Sequence, residues 1–114
     1  MGAPGIDSRV GELAAAHFVV AIVAAAFATR GEVLTAPSRG TSGAALARHV
    51  AMYLAHTRLH LSLTSAACLF DRDRTTVGHA CRIVEMRREN PTIDRIVDLL
   101  ERAVDIHRRG GIRS

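Results

Sequence analysis

Tryptophan and lysine are both absent from this 114-residue chain, and aromatic residues make up only 4% of it. Without large rings to fill space, a core has to be assembled from Ala, Val, Leu and Ile, for which an apolar content of 48% is sufficient. Alternating apolar–polar runs are lacking, so the expected class is all-α and the length allows one compact domain. The two cysteines, Cys68 and Cys81, fall within predicted helices without C-x-x-C spacing, which argues for reduced thiols over a disulfide or a zinc site. No G-x-x-x-x-G-K-[ST] motif is present, so no P-loop nucleotide site is expected, and nothing calls for a cofactor. Carboxylates are scattered and no nucleophile sits beside a base, so the chain reads as non-enzymatic with no catalytic residues.

Long apolar runs are nearly absent too. Leu13 to Ala28 is apolar except for His17, and Ala26-Phe27-Ala28 has a small-x-small pattern. Asp7 and Glu12 flank Arg9 ahead of it, which spoils a signal-peptide n-region. The run is also shorter than the ~20 residues a bilayer requires. A buried first helix, or one paired with a second subunit, is expected, with no membrane as partner.

What the chain does have is positive charge. The formal net charge is +4, carried entirely by arginine, and the sequence pI is about 10.4. A small basic domain suits nucleic acid, an acidic protein or an anionic surface.

Residues 1–8 are expected to be disordered, residues 9–108 to form one helical domain, and residues 109–114 to be a flexible tail. Asp7 or Ser8 is the expected cap of a first helix from Arg9 to about Ala28. Glu32 to Ala36 reads as one helical turn stopped before Pro37. A small-residue loop, Ser38 to Gly43, carries Arg39 and is either a solvated connector or an arm approaching phosphate or a minor groove. A helix from Ala44 or Ala45 to His56 or Arg58 follows, with Leu46, Val50, Tyr53 and Leu54 as its apolar stripe and Arg48, His49 and His56 off it. The spacing of His56 and His60, with His49 before them, permits two or three metal ligands, but no carboxylate or Cys completes the set, so no metal site is expected.

The most informative stretch follows. Leu61 to Phe70 is a short helix capped by Ser62 or Thr64, Asp71-Arg72-Asp73-Arg74 is a tight polar turn, and Thr75 to Arg88 is an amphipathic helix. Val77, Ala80, Cys81, Val84 and the stem of Arg88 share its inner face, while Thr75, Thr76, His79, Arg82 and Met86 fall opposite. Two short helices across a polar turn, spanning about residues 62–88, are the helix-turn-helix pattern. Asn90-Pro91 restarts the chain, and a last helix to about Arg108 turns Ile93, Ile96, Val97, Leu100, Val104 and Ile106 inward.

Thr hydroxyls and methyls at a helix start can meet base edges, an Arg such as Arg74 can hold a guanine edge bidentately, and helix N–H groups can add phosphate contacts. Asp73, being negative, is expected to accept from a cytosine amino group or to orient Arg72. The bland alternative for Asp71 to Arg74 is a solvated turn with internal ion pairs.

The run Arg72-Asp73-Arg74-Thr75-Thr76-Val77-Gly78-His79-Ala80 resembles the G-R-D-H-T-T-V-x-H-A signature of the C-terminal DNA-binding domain (domain IV) of the bacterial replication initiator DnaA, here as a stand-alone chain. Ala51-Met52-Tyr53-Leu54-Ala55 is similar to the family's A-M-Y-L-A helix, and Leu61-Ser62-Leu63 to its S-L segment. Ala24 to Leu34 resembles the helix and turn leading into the family's basic loop. The resemblance implies an all-helical, Trp repressor-like bundle that reads a nonamer box in double-stranded DNA. It implies DNA contacts by Asp73, Arg74 (His in the family), Thr75, Thr76 and His79, by Arg48, and by Arg39 as the basic-loop arginine. Arg72 and Arg82 complete the expected set. Three departures stand out: the turn is one residue shorter, Gly78 replaces a bulkier residue, and the basic loop holds one Arg.

The resulting expectation is a cytoplasmic, nucleoid-associated protein binding DnaA-box-type or origin sites and regulating replication initiation or transcription, with a homodimer through the apolar first helix in view. A second reading is a dimeric interaction module that has lost specific DNA binding.

Overall fold

The computed structural model describes residues 4–27 and 42–110. Five α-helices run through them: α1 Pro4–Ala26, α2 Ser42–Thr57, α3 Leu63–Phe70, α4 Arg74–Arg87 and α5 Pro91–Arg108. No strand occurs among the described residues, in keeping with the all-α class. The turn expected at Glu32 to Ala36 and the loop carrying Arg39 lie outside them.

The first helix starts earlier than expected. It begins at Pro4 and not at Arg9, so Asp7 and Ser8 lie inside it and do not cap it. Proline is at home in a first helical turn, where its missing N–H has no partner to lose. One side of α1 enters the core of its own chain: Val19 and Val23 are fully buried, with Ala16 and Ala24 beside them. Packing on α2 and α5 covers those residues, and a second subunit is not needed to do so.

The second helix is the centre of the fold and touches each of the other four. Ala47, Val50, Ala51, Met52, Leu54 and Ala55 have at most 1% of their surface exposed, so the core surrounds α2 on nearly every side. Small side chains permit this, because Ala lets neighbouring helices approach closely while Val, Leu and Met fill what remains. Each fully buried aliphatic contributes roughly 1.5–3 kcal/mol relative to leaving it in water. Arg48, expected off the apolar stripe, is instead buried at 7% exposure. A helix surrounded on so many sides has almost no outer face, which a one-stripe pattern cannot convey.

After α2 the chain reverses at His60, which adopts a left-handed φ of 59°. The His56 Nδ1–H donates to the Leu61 carbonyl at 2.7 Å, closing this turn. Two of the three histidines that might have ligated a metal thus shape a turn, and among the described residues no three His, Cys, Asp or Glu side chains gather for a metal ion. Ser62 caps α3, its Oγ accepting from the Ser65 N–H at 3.0 Å.

The last helix starts at Pro91 with Asn90 as its cap, Oδ1 accepting from the N–H groups of Thr92 and Ile93. Val97, Leu100 and Val104 are buried as expected, and Ile93 and Ile96 pack against the core. Ile106 is 55% exposed, contrary to expectation, since its place in the helical repeat points away from the line Val97–Leu100–Val104. Phe18 of α1 stacks on His107 of α5 with centroids 4.0 Å apart. Arg58, just beyond α2, grips Asp105 with two parallel bonds, one of them Nε to Oδ1 at 3.1 Å.

Arg88 ends α4 and draws three elements together. Its guanidinium donates to the Tyr53 hydroxyl of α2 at 3.1 Å, to Glu101 of α5 at 3.0 Å and to Asp94 of α5 at 2.6 Å. Burial opposes its charge, yet these bonds outweigh that cost and raise its pKa. Arg88→Met keeps the stem but strands Glu101, whose side chain is only 16% exposed. The expected loss is about 2–3 kcal/mol in urea unfolding, and a loss below about 0.5 kcal/mol would mark the cluster as mere surface pairing.

Gly78 sits inside α4, and a Cβ there would meet only Leu63 Cδ1 at 4.0 Å, an ordinary contact. Gly78→Ala should therefore stabilise the fold by about 1 kcal/mol through helix propensity. A lower urea midpoint in that variant would show the glycine is needed for close approach.

Candidate nucleic-acid interface

The geometry at the start of α4 is set by two local devices. The first is the end of α3. Asp71 takes a left-handed conformation, φ 54° and ψ 47°, and the chain closes with Arg72 N–H on the Ala67 carbonyl at 2.9 Å and Asp71 N–H on that of Cys68 at 3.3 Å. This is the helix ending usually built on glycine, and Asp is among the few other residues that tolerate it. The shortened turn thus needs no glycine. Arg72 is pinned across it, its Nη1 donating to the carbonyls of Phe70 and Asp71 at 3.2 Å each.

The second device is Asp73, the N-cap of α4. Its Oδ1 accepts from the Thr76 N–H at 2.8 Å. The Thr76 N–H and hydroxyl, with the Thr75 N–H, hold its carboxyl below the ordinary range. Asp73, expected to meet a base or to orient Arg72, thus caps α4 through one carboxylate oxygen. One consequence is that the carboxylate occupies the N–H a phosphate would need, so α4 offers a weaker anion site at its tip than a bare helix start.

From this start, α4 turns Val77, Ala80 and Val84 wholly inward, with Cys81 partly buried beside them. Arg74, Thr75, His79, Arg82 and Met86 are exposed and Thr76 is half-buried. Thr75, His79, Arg82 and Met86 recur at helical spacing and form one outward stripe. Both cysteines are free thiols.

The second helix closes one flank of this stripe. His49 of α2 meets His79 of α4 edge to face, with centroids 6.3 Å apart and planes at 86°. Burial pushes the His49 imidazole below its usual value, and the charges of His79, Arg48 and Arg87 push in the same direction. Arg48 lies deeper, its pKa lowered by burial and then by the nearby charge of Arg72. His49 and Arg87 were not expected at the site. Their joining it depends on how α2 crosses α4, which no local pattern encodes.

Among the concavities of the described surface are three shallow ones, lined by residues such as Leu59 and Leu61, Pro91 and Asp98, and Leu13 and Cys68. None includes a residue of α4. The stripe is an exposed helix face, with Arg74 at its start and Arg82 along it, of the kind that enters a groove.

These features define a helix-turn-helix DNA-binding module, with α3 and α4 as its two helices. Residues 16–84 match the family of the bacterial DnaA protein helix-turn-helix, and the chain belongs to that family. A search of curated proteins returns no match. No helix among the described residues is long and apolar enough to cross a membrane.

Because Asp73 has a depressed pKa in the folded chain, its contribution to stability is present above the unfolded value of about 3.9 and is lost as pH falls through the folded one. Asp73→Ala should lower the urea midpoint at pH 7 and lose less than the wild type on going from pH 4 to pH 2. Asp73→Asn, which keeps the cap, should stay near the wild type at pH 7. If Asn and Ala behave alike, the cap does not hold α4.

Proposed function

We propose that this protein binds double-stranded DNA sequence-specifically at DnaA-box-type sites, such as those of a replication origin, and thereby regulates replication initiation or transcription. It does so in the cytoplasm, on the nucleoid, as a non-enzymatic protein without ATP hydrolysis of its own. The observation that carries this reading is the exposed start of α4, where Arg74 and Thr75 stand free of the core on a capped, rigidly placed helix.

In this reading Arg74 meets a guanine edge, where a bidentate pair gives about 1–3 kcal/mol of discrimination. Thr75 and Thr76 offer hydroxyls and methyls to neighbouring bases, the methyls suiting thymine. Arg72, held to the turn carbonyls, and Arg82, further along the stripe, face the sugar–phosphate backbone. The buried Arg48 acts from behind, adding positive potential under the groove-facing surface. Arg39 is assigned to the minor groove by the family resemblance alone.

Binding should be measured by fluorescence anisotropy on a duplex carrying a DnaA nonamer and on a scrambled one, from about 50 to 200 mM salt. The expected result is a clear preference for the nonamer and an affinity falling steeply with salt. Arg74→Ala should lose about 1–3 kcal/mol on the nonamer and little on the scrambled duplex. Equal affinity for both duplexes would remove the sequence-specific part of the reading, and no binding to either would remove DNA altogether.

A further inference from the structure

The outer face of α5 belongs neither to the core nor to the reading surface. Asp94 and Glu101 are held by Arg88, Asp105 by Arg58 and Asp98 by Arg102, so all four carboxylates of this helix are engaged in ion pairs within the chain. Arg95, Leu99, Arg102 and Ile106 recur at helical spacing and fall opposite the buried line of Val97, Leu100 and Val104. Both arginines are exposed, and Leu99 and Ile106 are each 55% exposed. The Arg102–Asp98 pair is exposed on both sides, a kind that another carboxylate displaces at little cost. The face is thus aliphatic and cationic together.

A surface of opposite charge stands at the C-terminal end of α4. Met86 is 64% exposed, more than any other large apolar side chain described, and Glu85 and Glu89 beside it are exposed too. Glu89 lies just past the helix end, its N–H donating to the Met86 carbonyl at 3.2 Å. Arg87 follows Glu85 by two residues, a spacing that does not share a helix face. At ~1.5 Å per residue this patch lies roughly 17 Å along α4 from Thr75. Its carboxylates repel DNA phosphates, and the negative end of the helix dipole favours a cation arriving there.

We propose that the α5 face of one copy docks on the α4 end of the next, Arg95 and Arg102 meeting Glu85 and Glu89 while Leu99 and Ile106 pack on Met86. A second α5 face is excluded as the partner surface, because it would set arginine against arginine. Two different patches meet, so the contact is head-to-tail and links copies that share one orientation, as on direct repeats of a DNA site. It rests on the DNA-binding reading above and adds cooperativity to it. Every residue of both patches lies beyond the matched residues 16–84, so the family match does not itself imply the contact. Each patch has far fewer than the roughly 20–30 residues a side of a stable interface. The contact is therefore weak in free solution and fills when neighbouring sites raise the local concentration to the order of millimolar.

The test compares the full chain on duplexes with one nonamer and with two, as direct or inverted repeats, the centres stepped through one full turn of about 10 base pairs. On direct repeats at the fitting spacing the second site should fill on the order of tenfold more tightly than a single one, and inverted repeats should show no such gain. R95E/R102E should abolish the gain, and so should E85R/E89R. The variant carrying all four substitutions has the wild-type net charge and the same pairs reversed, so it should regain cooperativity. Circular dichroism checks that each variant is folded. Single-nonamer binding without cooperativity at any spacing, cooperativity that survives R95E/R102E, or no recovery in the combined variant would overturn the contact and leave DNA binding in place. Absence of binding to any duplex would instead remove the DNA reading. The contact is then judged by NMR of the free chain, where amides of Met86 and Leu99 should shift as concentration rises to about 1 mM and not in R95E/R102E. Spectra independent of concentration would overturn it.

Discussion

The enclosure of α2 is the constraint on which the other elements depend. One helix that touches all four others must be lined with small or compact aliphatic side chains, because a large ring on any side would push a neighbour away. The absence of Trp and the abundance of Ala and Val are the composition of such an arrangement. Met52, Leu54 and Val50 fill the space that Ala47, Ala51 and Ala55 leave open. The closest partner of this central helix is α4, so the reading surface inherits the rigidity of the core's most enclosed element.

Packing alone would let α4 slide or rotate along α2, and its two ends prevent that. At the N-terminal end, the left-handed Asp71 and the Asp73 cap fix where the helix begins and which way it points. At the C-terminal end, Arg88 ties it to Tyr53 and to two carboxylates of α5. Neither end uses the outward stripe. The residues that hold α4 and the residues of the outward stripe are separate sets, so substitution of the stripe leaves its support intact.

Features set by local rules were legible in the sequence. The 3.6-residue repeat of Val77, Ala80 and Val84, the Ser62 cap and the Asn90-Pro91 restart depend on neighbours a few residues away, and the structure has them where the pattern put them. Features set by crossing geometry were not. Arg48 is buried because α2 is surrounded, His49 joins the site because α2 passes beside His79, and Ile106 is exposed because α5 covers the core with only one line of side chains. Asp73 is a different case. Its cap follows the local rule that Asp favours a helix start, and it stands beside the expected base contact.

That cap changes how affinity and specificity divide across the surface. A helix start normally offers its free N–H groups to a phosphate, and the positive end of the helix dipole reinforces them. Here Asp73 consumes one of those donors and places a negative charge beside the remaining ones. A phosphate is therefore less welcome at the tip, which in the proposed function is left to bases, with Arg74, Thr75 and Thr76 discriminating by hydrogen bonds and methyl contacts. The positive charge that attracts the DNA backbone then has to lie to the sides. Arg72 and Arg82 lie there in the proposed function. The carboxylate that caps α4 is thus also the reason the proposed function places its phosphate contacts on the helix flanks.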